Sequence, residues 1–483
     1  MFLGLDLGTS GLRGLLVSGE GQPVASAEAS YEAQHPHRGW SEQDPHHWTE
    51  ACRTVCARLR ADQPDHMAAL RGIGISGHMH GATLLDGDGQ VLRPCMLWND
   101  TRSHAQAAVM DATPGFREIT GNIVFPGFTA PKVQWVAEHE PEIFARIAKI
   151  LLPKDYLSWW LTGTYGSDMS DSAGTAWMDV GARDWSDQLL EHAGLRRDQM
   201  PDLVEGSAVL GHLAPERAAE LGLPDGVAVV GGGGDNAAAA CGIGALQEGD
   251  GFVSLGTSGV LLAAKDGFAP DPASAVHTFC HAIPDTWYQM GVILAATDSL
   301  NWLAGNLGQA PDVLSAALGD RISGPGSVRF LPYLSGERTP HNDSAVRGAL
   351  IGLDIATGPE ALTQAVIEGV SFALRDNLEA LRTTGTTLSE VIAIGGGSAS
   401  RYWVELSATV LDMPIALPAQ GEFGAAMGAA RLALCGVTGA APRDVMTKPP
   451  IREVIDPRAD LRSAYADAWA AYHASYPALK AMP

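Results

Sequence analysis

The tetrapeptide Gly-Thr-Ser-Gly occurs twice in the chain, at residues 8–11 and at residues 256–259. In both places a short apolar segment comes directly before it, LGLDL at residues 3–7 and FVSL at residues 252–255. The two copies begin 248 residues apart in a chain of 483 residues, which is close to half its length. Their shared position after a strand makes chance a weak explanation, so the repeat predicts two similar domains. We expect an N-terminal domain over residues 1–245 and a C-terminal domain over residues 246–483.

Strand and helix patterns alternate along the chain. Residues 71–76 and 227–230 are apolar segments bounded by glycine, which predicts buried strands. Residues 359–384 have apolar residues at helical spacing, with proline in the first turn and glycine just after the end. A strand at residues 391–394 and a helix at residues 401–411 follow. This alternation is typical of an α/β protein.

Charge and hydropathy limit the partners that the chain can have. Asp and Glu number 55 against 32 Lys and Arg, which gives a formal net charge of −23. Such a surface repels nucleic acid phosphates and anionic lipid, so we expect neither nucleic acid nor a membrane as a partner. The N-terminus lacks the pattern of a signal peptide, and no apolar run approaches the ~18 residues of a membrane helix. The six cysteines do not form a disulfide framework. We therefore expect a cytoplasmic protein.

Three glycine-rich turns follow apolar strands, at residues 8–11, 256–259 and 395–398. Glycine lets the backbone approach a phosphate, while amides and hydroxyls donate to its oxygens. Each turn alone is best explained as a tight turn, but three together favour phosphate binding. The chain contains no Gly-Lys dipeptide and hence no Walker A loop. No G-x-G-x-x-G follows a strand with an acidic residue ~20 positions on, so a dinucleotide-binding domain is unsupported. An actin-like duplication remains, in which each domain presents one hairpin to the phosphates of ATP.

Two aspartates stand beside these turns. Asp6 lies inside an apolar strand, where a carboxylate is costly without a partner such as Mg²⁺. Asp235 follows four glycines, Gly231–Gly234, and opens a helical segment. The alternatives are a hydrogen-bonded structural aspartate for Asp6 and a helix N-cap for Asp235. Four glycines are more than a cap needs, so we predict that the backbone there approaches a ligand. Phosphoryl transfer needs a base and a metal anchor, and we predict Asp235 as the base and both aspartates as metal ligands.

Polar and aromatic residues that suit a sugar follow the strand at residues 71–76. The His-Met-His sequence at residues 78–80 invites a metal site, but the sequence reveals no third ligand. We therefore predict that this segment lines a pocket, with His80 hydrogen-bonding a polar ligand. Residues 98–100, Trp-Asn-Asp, and Arg102 combine an aromatic face with polar groups. Sugar contact is favoured there over a helix start capped by Asn99.

Longer segments resemble the FGGY family of carbohydrate kinases, and the similarity extends through nearly the whole chain. LGLDLGTSGLR at residues 3–13 resembles the first phosphate motif of that family. The segments that resemble the branch acting on D-xylulose include WSEQDP at 40–45, MHGATLLD at 79–86, LLPKDY at 151–156 and SDMSDSAGT at 167–175. FLPYLSGERTPH at 330–341 continues the match into the second half. GFTAPKVQWVAEH at residues 127–139 fits one family signature, and a second near residues 348–368 departs from its pattern at Ala361.

The resemblance implies an α/β fold of two actin-like (RNase H-like) ATPase domains with the active site in the cleft between them. The reaction would be Mg²⁺-dependent transfer of phosphate from ATP to the C5 hydroxyl of D-xylulose, giving D-xylulose 5-phosphate and ADP in xylose catabolism. Asp235 would be the catalytic base, and Asp6 would set the Mg²⁺–phosphate geometry. The expected sugar neighbours are Met79, His80, Trp98, Asn99, Asp100 and Asn236. The expected ATP contacts are Thr9, Ser10, Arg13, Gly256, Thr257, Ser258, Gly396, Gly397 and Ser398. A homodimer is expected from the family alone.

Three other functions compete with this one. Another FGGY kinase would act on ribulose, gluconate or glycerol, and His78 bears on this choice because many bacterial relatives have glutamine there. An actin-like nucleotide switch would use ATP to change conformation for a partner, but the chain has no extended partner-binding segment. A sugar sensor without turnover is disfavoured because both Asp6 and Asp235 are present.

Overall fold

The computed structural model describes residues 1–419 and 424–482 and contains a seven-stranded mixed sheet in each half of the chain. In spatial order the first sheet consists of Val209–His212, Ala228–Val230, Gly72–Gly77, Phe2–Leu7, Gly11–Val17 and Pro23–Ser30, with Gly233–Gly234 also paired to Gly72–Gly77. The second sheet consists of His277–Cys280, Trp287–Ile293, Gly259–Lys265, Gly251–Leu255, Val391–Ile394, Ile415–Pro418 and Ile451–Ile455.

The two sheets share the same central arrangement. In the first, the hairpin of Phe2–Leu7 and Gly11–Val17 is antiparallel, and Phe2–Leu7 runs parallel to Gly72–Gly77. In the second, Gly251–Leu255 pairs in the same two ways with Gly259–Lys265 and Val391–Ile394. Each Gly-Thr-Ser-Gly tetrapeptide is the turn of its hairpin. The sequence repeat therefore marks a structural duplication, as predicted.

Helices and short strand pairs surround the sheets. The helices are Pro45–Asp62, Pro64–Ala68, His104–Ala112, Phe116–Thr120, Thr129–His139, Pro141–Phe144, Pro153–Thr162, Met169–Ser172, Asp187–His192, Pro215–Leu221, Asp235–Ile243, Thr297–Leu307, Pro311–Ala317, Pro359–Thr383, Arg401–Leu411, Ala425–Thr438, Pro442–Val445, Arg462–His473 and Ser475–Lys480. The short pairs are Glu42–Gln43 with Cys95–Met96, Thr83–Leu85 with Lys149–Leu151, Gly166–Asp168 with Asp202–Val204, Met178–Asp179 with Asp184–Trp185, and Arg329–Leu331 with Ala349–Ile351. Within the described ranges, no helix is long and apolar enough to cross a membrane.

The predicted elements lie close to their expected bounds. The strand Val391–Ile394 and the helix Arg401–Leu411 have the predicted limits. The long helix runs from Pro359 to Thr383, and Gly385 beyond it has a φ of +80°, a conformation that favours glycine. All six cysteines are free and buried.

One helix crosses between the halves of the chain. Ala425–Thr438 lies in sequence between two strands of the second sheet, Ile415–Pro418 and Ile451–Ile455, but it packs against the first sheet and against the helix Asp235–Ile243. The contact is backbone to backbone, because a Cβ atom on Gly4 would overlap the carbonyl oxygen of Ala426 and one on Gly428 would overlap that of Ala238. The division at residue 245 stays a prediction, and this helix shows that a linear boundary omits part of the packing of the first sheet.

Candidate active site

A cavity of about 620 Å³ lies where the two halves of the chain meet. The N-terminal half contributes Arg13, Asp235 and Asn236 to its wall, and the C-terminal half contributes Gly396 and Ser398. The carboxyl ends of parallel strands meet at one edge of a sheet, which is where α/β proteins bind ligands. The fold thus places five of the residues predicted from the sequence around one space.

A second cavity of about 510 Å³ adjoins the third glycine turn on its other side. Gly396 lines both cavities, and Gly397 lines the second together with Leu300, Arg401 and Trp403. An apolar and aromatic wall beside an exposed glycine backbone suits a nucleoside whose phosphates extend toward the first cavity.

Asp235 is the first residue of the helix Asp235–Ile243, in the wall of the first cavity. Its carboxylate accepts hydrogen bonds from the amide of Asn236 at 2.7 Å and from the Asn236 side chain at 2.9 Å. Burial, together with the nearby negative charge of Asp6, raises the pKa of Asp235 to about 6. A carboxylate with this pKa is a competent proton acceptor near neutral pH.

The four glycines before Asp235 have a structural reason that the sequence did not reveal. A Cβ atom on Gly232 would overlap the carbonyl oxygen of Ile75, and one on Gly231 would come within 2.6 Å of the carbonyl oxygen of Glu205. Gly232 also has a φ of +76°. Close packing within the protein thus requires glycine at positions 231 and 232. The approach of this backbone to a ligand stays a prediction.

Asp6 lies in the strand Phe2–Leu7, and its carboxylate accepts a hydrogen bond from the Ser76 hydroxyl at 2.8 Å. Burial raises the pKa of Asp6, and the Ser76 hydrogen bond opposes that rise. In the second hairpin the equivalent position is Ser254. The first hairpin thus carries a carboxylate at this position, and the second carries a hydroxyl group.

Asp6 and Asp235 fit a magnesium ion that completes its coordination with phosphate and water. The positive charge of a divalent cation held by these residues would offset the repulsion between their carboxylates. The described residues contain no cluster of three or more His, Cys, Asp or Glu that could hold a metal alone. Mg²⁺ commonly binds through one or two carboxylates plus substrate phosphates, so the donor set agrees with that mode.

The first Gly-Thr-Ser-Gly turn is held by surrounding side chains. The Tyr31 hydroxyl donates to the carbonyl oxygen of Gly8 at 2.7 Å, and Gln43 donates to that of Thr9 at 2.6 Å. The Trp98 indole donates to the Thr9 hydroxyl at 3.0 Å. The Ser10 side chain is exposed. Thr9 and Trp98, predicted separately as ATP and sugar contacts, are thus bonded to each other.

The second and third turns lie side by side in the other half of the cleft. The carbonyl oxygen of Gly256 accepts hydrogen bonds from the amide and the hydroxyl of Thr297, the latter at 2.8 Å. Thr257 is exposed and Ser258 is half-buried. In the third turn the Ser398 hydroxyl donates to the carbonyl oxygen of Gly395 at 2.6 Å. The Ser398 amide donates to the same carbonyl oxygen at 3.1 Å. The exposed Thr257 side chain is therefore open to a ligand in the cleft.

Met79 and His80 pack behind Asp235. Met79 contacts Gly234, since a Cβ atom there would lie 3.0 Å from the Met79 side chain, and Tyr288 donates to the Met79 sulfur at 3.8 Å. His80 has a φ of +72°, and its ring stacks on Phe128 with 4.6 Å between centroids. Its backbone carbonyl accepts from the buried Lys132 ammonium at 2.8 Å.

The hydrogen bond of the His80 ring fixes its tautomer. Nδ1 lies 2.7 Å from the carbonyl oxygen of Gly174. A carbonyl can only accept, so Nδ1 carries the proton and Nε2 is left as an acceptor. Burial lowers the pKa of His80 to about 3, which keeps the ring neutral. His80 can therefore accept a hydrogen bond from a hydroxyl group.

The Trp98–Asp100 segment was predicted to supply three sugar contacts, but its three residues differ in exposure. Asp100 is fully buried, and its carboxylate accepts from the guanidinium of Arg102 at 2.6 Å and from the amide of Ser41 at 2.7 Å. Asn99 is exposed, and the helix that follows has Ser103, not Asn99, at its N-cap position. In this structure Asp100 orders the loop through its ion pair, and direct contact of Asp100 or Asn99 with a sugar stays a prediction.

His78 is buried beside Trp48. Neither ring nitrogen has a protein partner within the described residues, and the ring meets Trp48 edge-on at 6.0 Å. Burial lowers the pKa of His78 to about 3. His78 is thus a neutral packing residue, with no titration near neutral pH.

A buried ionic cluster behind the cavity was not predicted from the sequence. Lys154, Asp155, Asp168 and Asp171 are all at most 1% exposed. Their segments, residues 151–156 and 167–175, were noted only for their family resemblance. Ionisable residues in otherwise apolar elements were the available signal, but nothing in the sequence indicated that the two segments meet.

Comparisons with known proteins agree with this geometry. Residues 1–242 match the N-terminal domain of the FGGY family of carbohydrate kinases, and residues 251–437 match its C-terminal domain. The chain therefore belongs to the FGGY family of carbohydrate kinases and has its two-domain, actin-like ATPase fold.

Individual similar proteins point to a more specific activity within the family, that of a xylulose kinase. The chain is 47% identical to the xylulose kinase of Escherichia coli strain K12 over 437 residues, covering 90% of this chain and 89% of the relative. A crystal structure of a "xyloylose kinase" from Brucella ovis superposes with a TM-score of 0.97 at 57% identity and covers 100% of both chains. The xylulose kinase of Rhodospirillum rubrum has a TM-score of 0.91 at 29% identity and covers 99% of both chains.

Proposed function

We propose that this protein transfers the γ-phosphoryl group of ATP to the C5 hydroxyl of D-xylulose, giving D-xylulose 5-phosphate and ADP. The observation that carries the proposal is the position of Asp235, a carboxylate with a raised pKa in a cavity shared with the glycine turns of the opposite domain. The relatives named as xylulose kinases, which match this chain over most of its length, support the choice of sugar.

Asp235 serves as the general base. Its ionised carboxylate accepts the proton of the sugar hydroxyl as that oxygen attacks the phosphorus atom, and the oxygen bridging to ADP leaves with the electron pair. The Asn236 amide and side chain hold one carboxylate oxygen. Because the pKa of about 6 lies just below neutral pH, Asp235 is ionised and still basic.

Backbone groups of the glycine turns bind the phosphates. Gly396 and Ser398 line the cavity that contains Asp235, and Thr257 is exposed on the adjacent turn. Donors fixed by the fold need no rearrangement as charge moves to the leaving oxygen. Asp6 and Asp235 would hold Mg²⁺, whose charge offsets that of the phosphate oxygens when it is bound.

The sugar lies against Met79 and His80. Met79 contacts the glycine that precedes Asp235, so a sugar held there can place its terminal hydroxyl near the base. The neutral His80 ring offers Nε2 to a sugar hydroxyl. Asn236, beside Asp235 in the cavity wall, supplies a further polar contact.

Release of ADP by the purified protein tests this function. ATP and Mg²⁺ are supplied with D-xylulose, ribulose, glycerol, gluconate or xylitol in parallel, and the product is located by phosphorus NMR. We expect strong preference for D-xylulose, with phosphate on C5. Preference for another acceptor would overturn the choice of sugar, and ADP release that ignores every sugar would overturn the kinase proposal.

A further inference from the structure

The Gly231–Gly234 segment directly precedes Asp235, and its glycines have no side chains that could fix its position. Two buried side chains hold its ends instead. The Lys154 ammonium donates to the carbonyl oxygen of Gly231 at 3.3 Å, and the amide of Gly234 donates to the Ser170 hydroxyl at 3.0 Å. The backbone amides of Gly231 and Gly232 and the pairing of Gly233–Gly234 with Gly72–Gly77 hold the segment as well. Glycine has more backbone freedom than any other residue, so the two side-chain anchors add a constraint at each end of the segment, next to Asp235.

Asp168 joins the two anchors to each other. Its Oδ2 accepts from the Ser170 hydroxyl at 2.5 Å and from the Ser170 amide at 2.7 Å. Its Oδ1 lies 2.8 Å from the Lys154 ammonium. Ser170 and Asp168 are fully buried, as is Lys154. A continuous chain of polar contacts therefore runs from Gly231 through Lys154, Asp168 and Ser170 to Gly234.

The cluster contains more carboxyl groups than cations. Lys154 lies 2.5 Å from Asp155 and 3.8 Å from Asp171, in addition to Asp168, so one cation faces three carboxyl groups. Burial raises the pKa of Asp171 strongly and that of Asp155 as well. Burial alone would lower the pKa of Lys154, but the carboxylates raise it. Buried ion clusters add little net stability, so stability alone does not account for this arrangement.

We propose that Lys154, Asp168 and Ser170 are positioning residues, which fix the glycine segment and thereby aim the Asp235 carboxylate at the attacking hydroxyl. None of the three lines the cavity or touches the reacting groups. The proposal rests on the role of Asp235 as the base. A small displacement of a reacting group can cost ~100-fold in rate, which gives the anchoring its functional weight.

The variant Ser170→Ala tests the anchoring with little change in volume. It removes the acceptor for the Gly234 amide and leaves Lys154 and Asp168 in place. Ser172→Ala is the matched control, because Ser172 is equally buried in the same short helix, but its hydroxyl donates to Ser167 at 2.7 Å. Two measurements compare them with the unaltered protein: amide hydrogen exchange of peptides covering residues 231–236, and steady-state kinetics from pH 5 to 8.

We expect Ser170→Ala to exchange faster at residues 231–236 and to lose about 10- to 100-fold in kcat, with the KM for ATP nearly unchanged. Its kcat/KM profile should also shift its acid inflection, since the surroundings of Asp235 change. Ser172→Ala should stay within about twofold in both measurements. The result that would overturn the proposal is equal behaviour of the two variants, or faster exchange with unchanged kcat.

The two measurements distinguish a failure of the anchoring proposal from a failure of the proposed function. Hydrogen exchange needs no substrate, so it tests the anchoring whichever sugar the protein uses. If the unaltered protein prefers an acceptor other than D-xylulose, kcat is measured with that acceptor, and the comparison of the two serine variants is still decisive.

Discussion

The carboxylates of Asp6 and Asp235 come from separate elements of the first sheet, and the charge of Asp6 adds to burial in raising the pKa of Asp235. Asp6 is held by Ser76 of the neighbouring strand, and Asp235 begins the helix that follows that sheet. One carboxylate thus adjusts the basicity of the other. Pairs of titratable groups with pKa values pushed away from their ordinary range are frequent at catalytic sites.

The activity should depend on pH through Asp235. Because the ionised form is the base, kcat/KM for D-xylulose should rise with pH, pass an inflection near pH 6 and level off above it. Replacement of Asp6 by Asn removes a negative charge, so the inflection of the residual activity should move to lower pH.

The Asp6→Asn variant also controls for titration of ATP, since phosphate groups titrate near pH ~6 as well. An inflection caused by ATP would stay at the same pH in the variant. A flat profile between pH 5 and 7.5 in the unaltered protein would contradict the assignment of Asp235.

The variant Asp235→Asn should lose nearly all turnover and gain stability at neutral pH. The folded-state pKa of about 6 lies above the ordinary value, so the folded protein favours the protonated carboxyl, and ionisation costs stability as the pH rises past 6. At pH 7.5 we expect a gain in unfolding free energy of up to about 3 kcal/mol. Below pH ~4 the gain should vanish.

Chemical denaturation at pH 4 and pH 7.5, with ATP binding measured by calorimetry, checks this prediction. Asp225→Asn serves as the control, since Asp225 is an exposed aspartate in the loop before the same glycine segment. ATP affinity in Asp235→Asn should stay within a few-fold. Equal stability of Asp235→Asn and the unaltered protein at pH 7.5 would show that burial of the ionised carboxylate does not destabilise the folded protein.

The duplicated architecture could be predicted from the sequence because each of its turns is formed by residues that are adjacent in the chain. A Gly-Thr-Ser-Gly turn after an apolar strand is determined by neighbouring residues, and the two copies became the two central hairpins. The long helix from Pro359 was equally predictable, since its apolar spacing and its end signals lie within one segment. Asp6 and Asp235 could be singled out because each is an acidic residue beside such a turn.

The rest of the site depends on contacts between distant segments. Lys154 and Asp168 meet only because a helix and a short strand pack together, and no periodicity encodes that meeting. The buried Asp100 carboxylate likewise accepts a hydrogen bond from the amide of Ser41, which lies 59 residues earlier. The helix Ala425–Thr438 returns to the first sheet across the predicted boundary, and its apolar composition alone would fit either sheet.

The variant His78→Gln should leave the pH profile unchanged. His78 is neutral at neutral pH because burial lowers its pKa to about 3, so it contributes no inflection between pH 5 and 8. Any effect on the KM for the sugar would then come from packing against Trp48. The profile of kcat/KM against pH checks this, and an inflection that disappears in the variant would mean that His78 titrates in the working range.

The variant Gly4→Ala should destabilise the protein through the helix that crosses between the halves of the chain. A Cβ atom on Gly4 would overlap the backbone carbonyl oxygen of Ala426, and backbone in a packed helix cannot easily move aside. We expect a loss of about 2–4 kcal/mol in unfolding free energy. Gly358→Ala is the control, since a Cβ atom there would meet nothing within 4 Å. Gly4 lies two residues before Asp6, so kcat should fall as well if the strand shifts to relieve the overlap. Unchanged stability of Gly4→Ala would mean that the helix Ala425–Thr438 does not pack this closely on the first sheet.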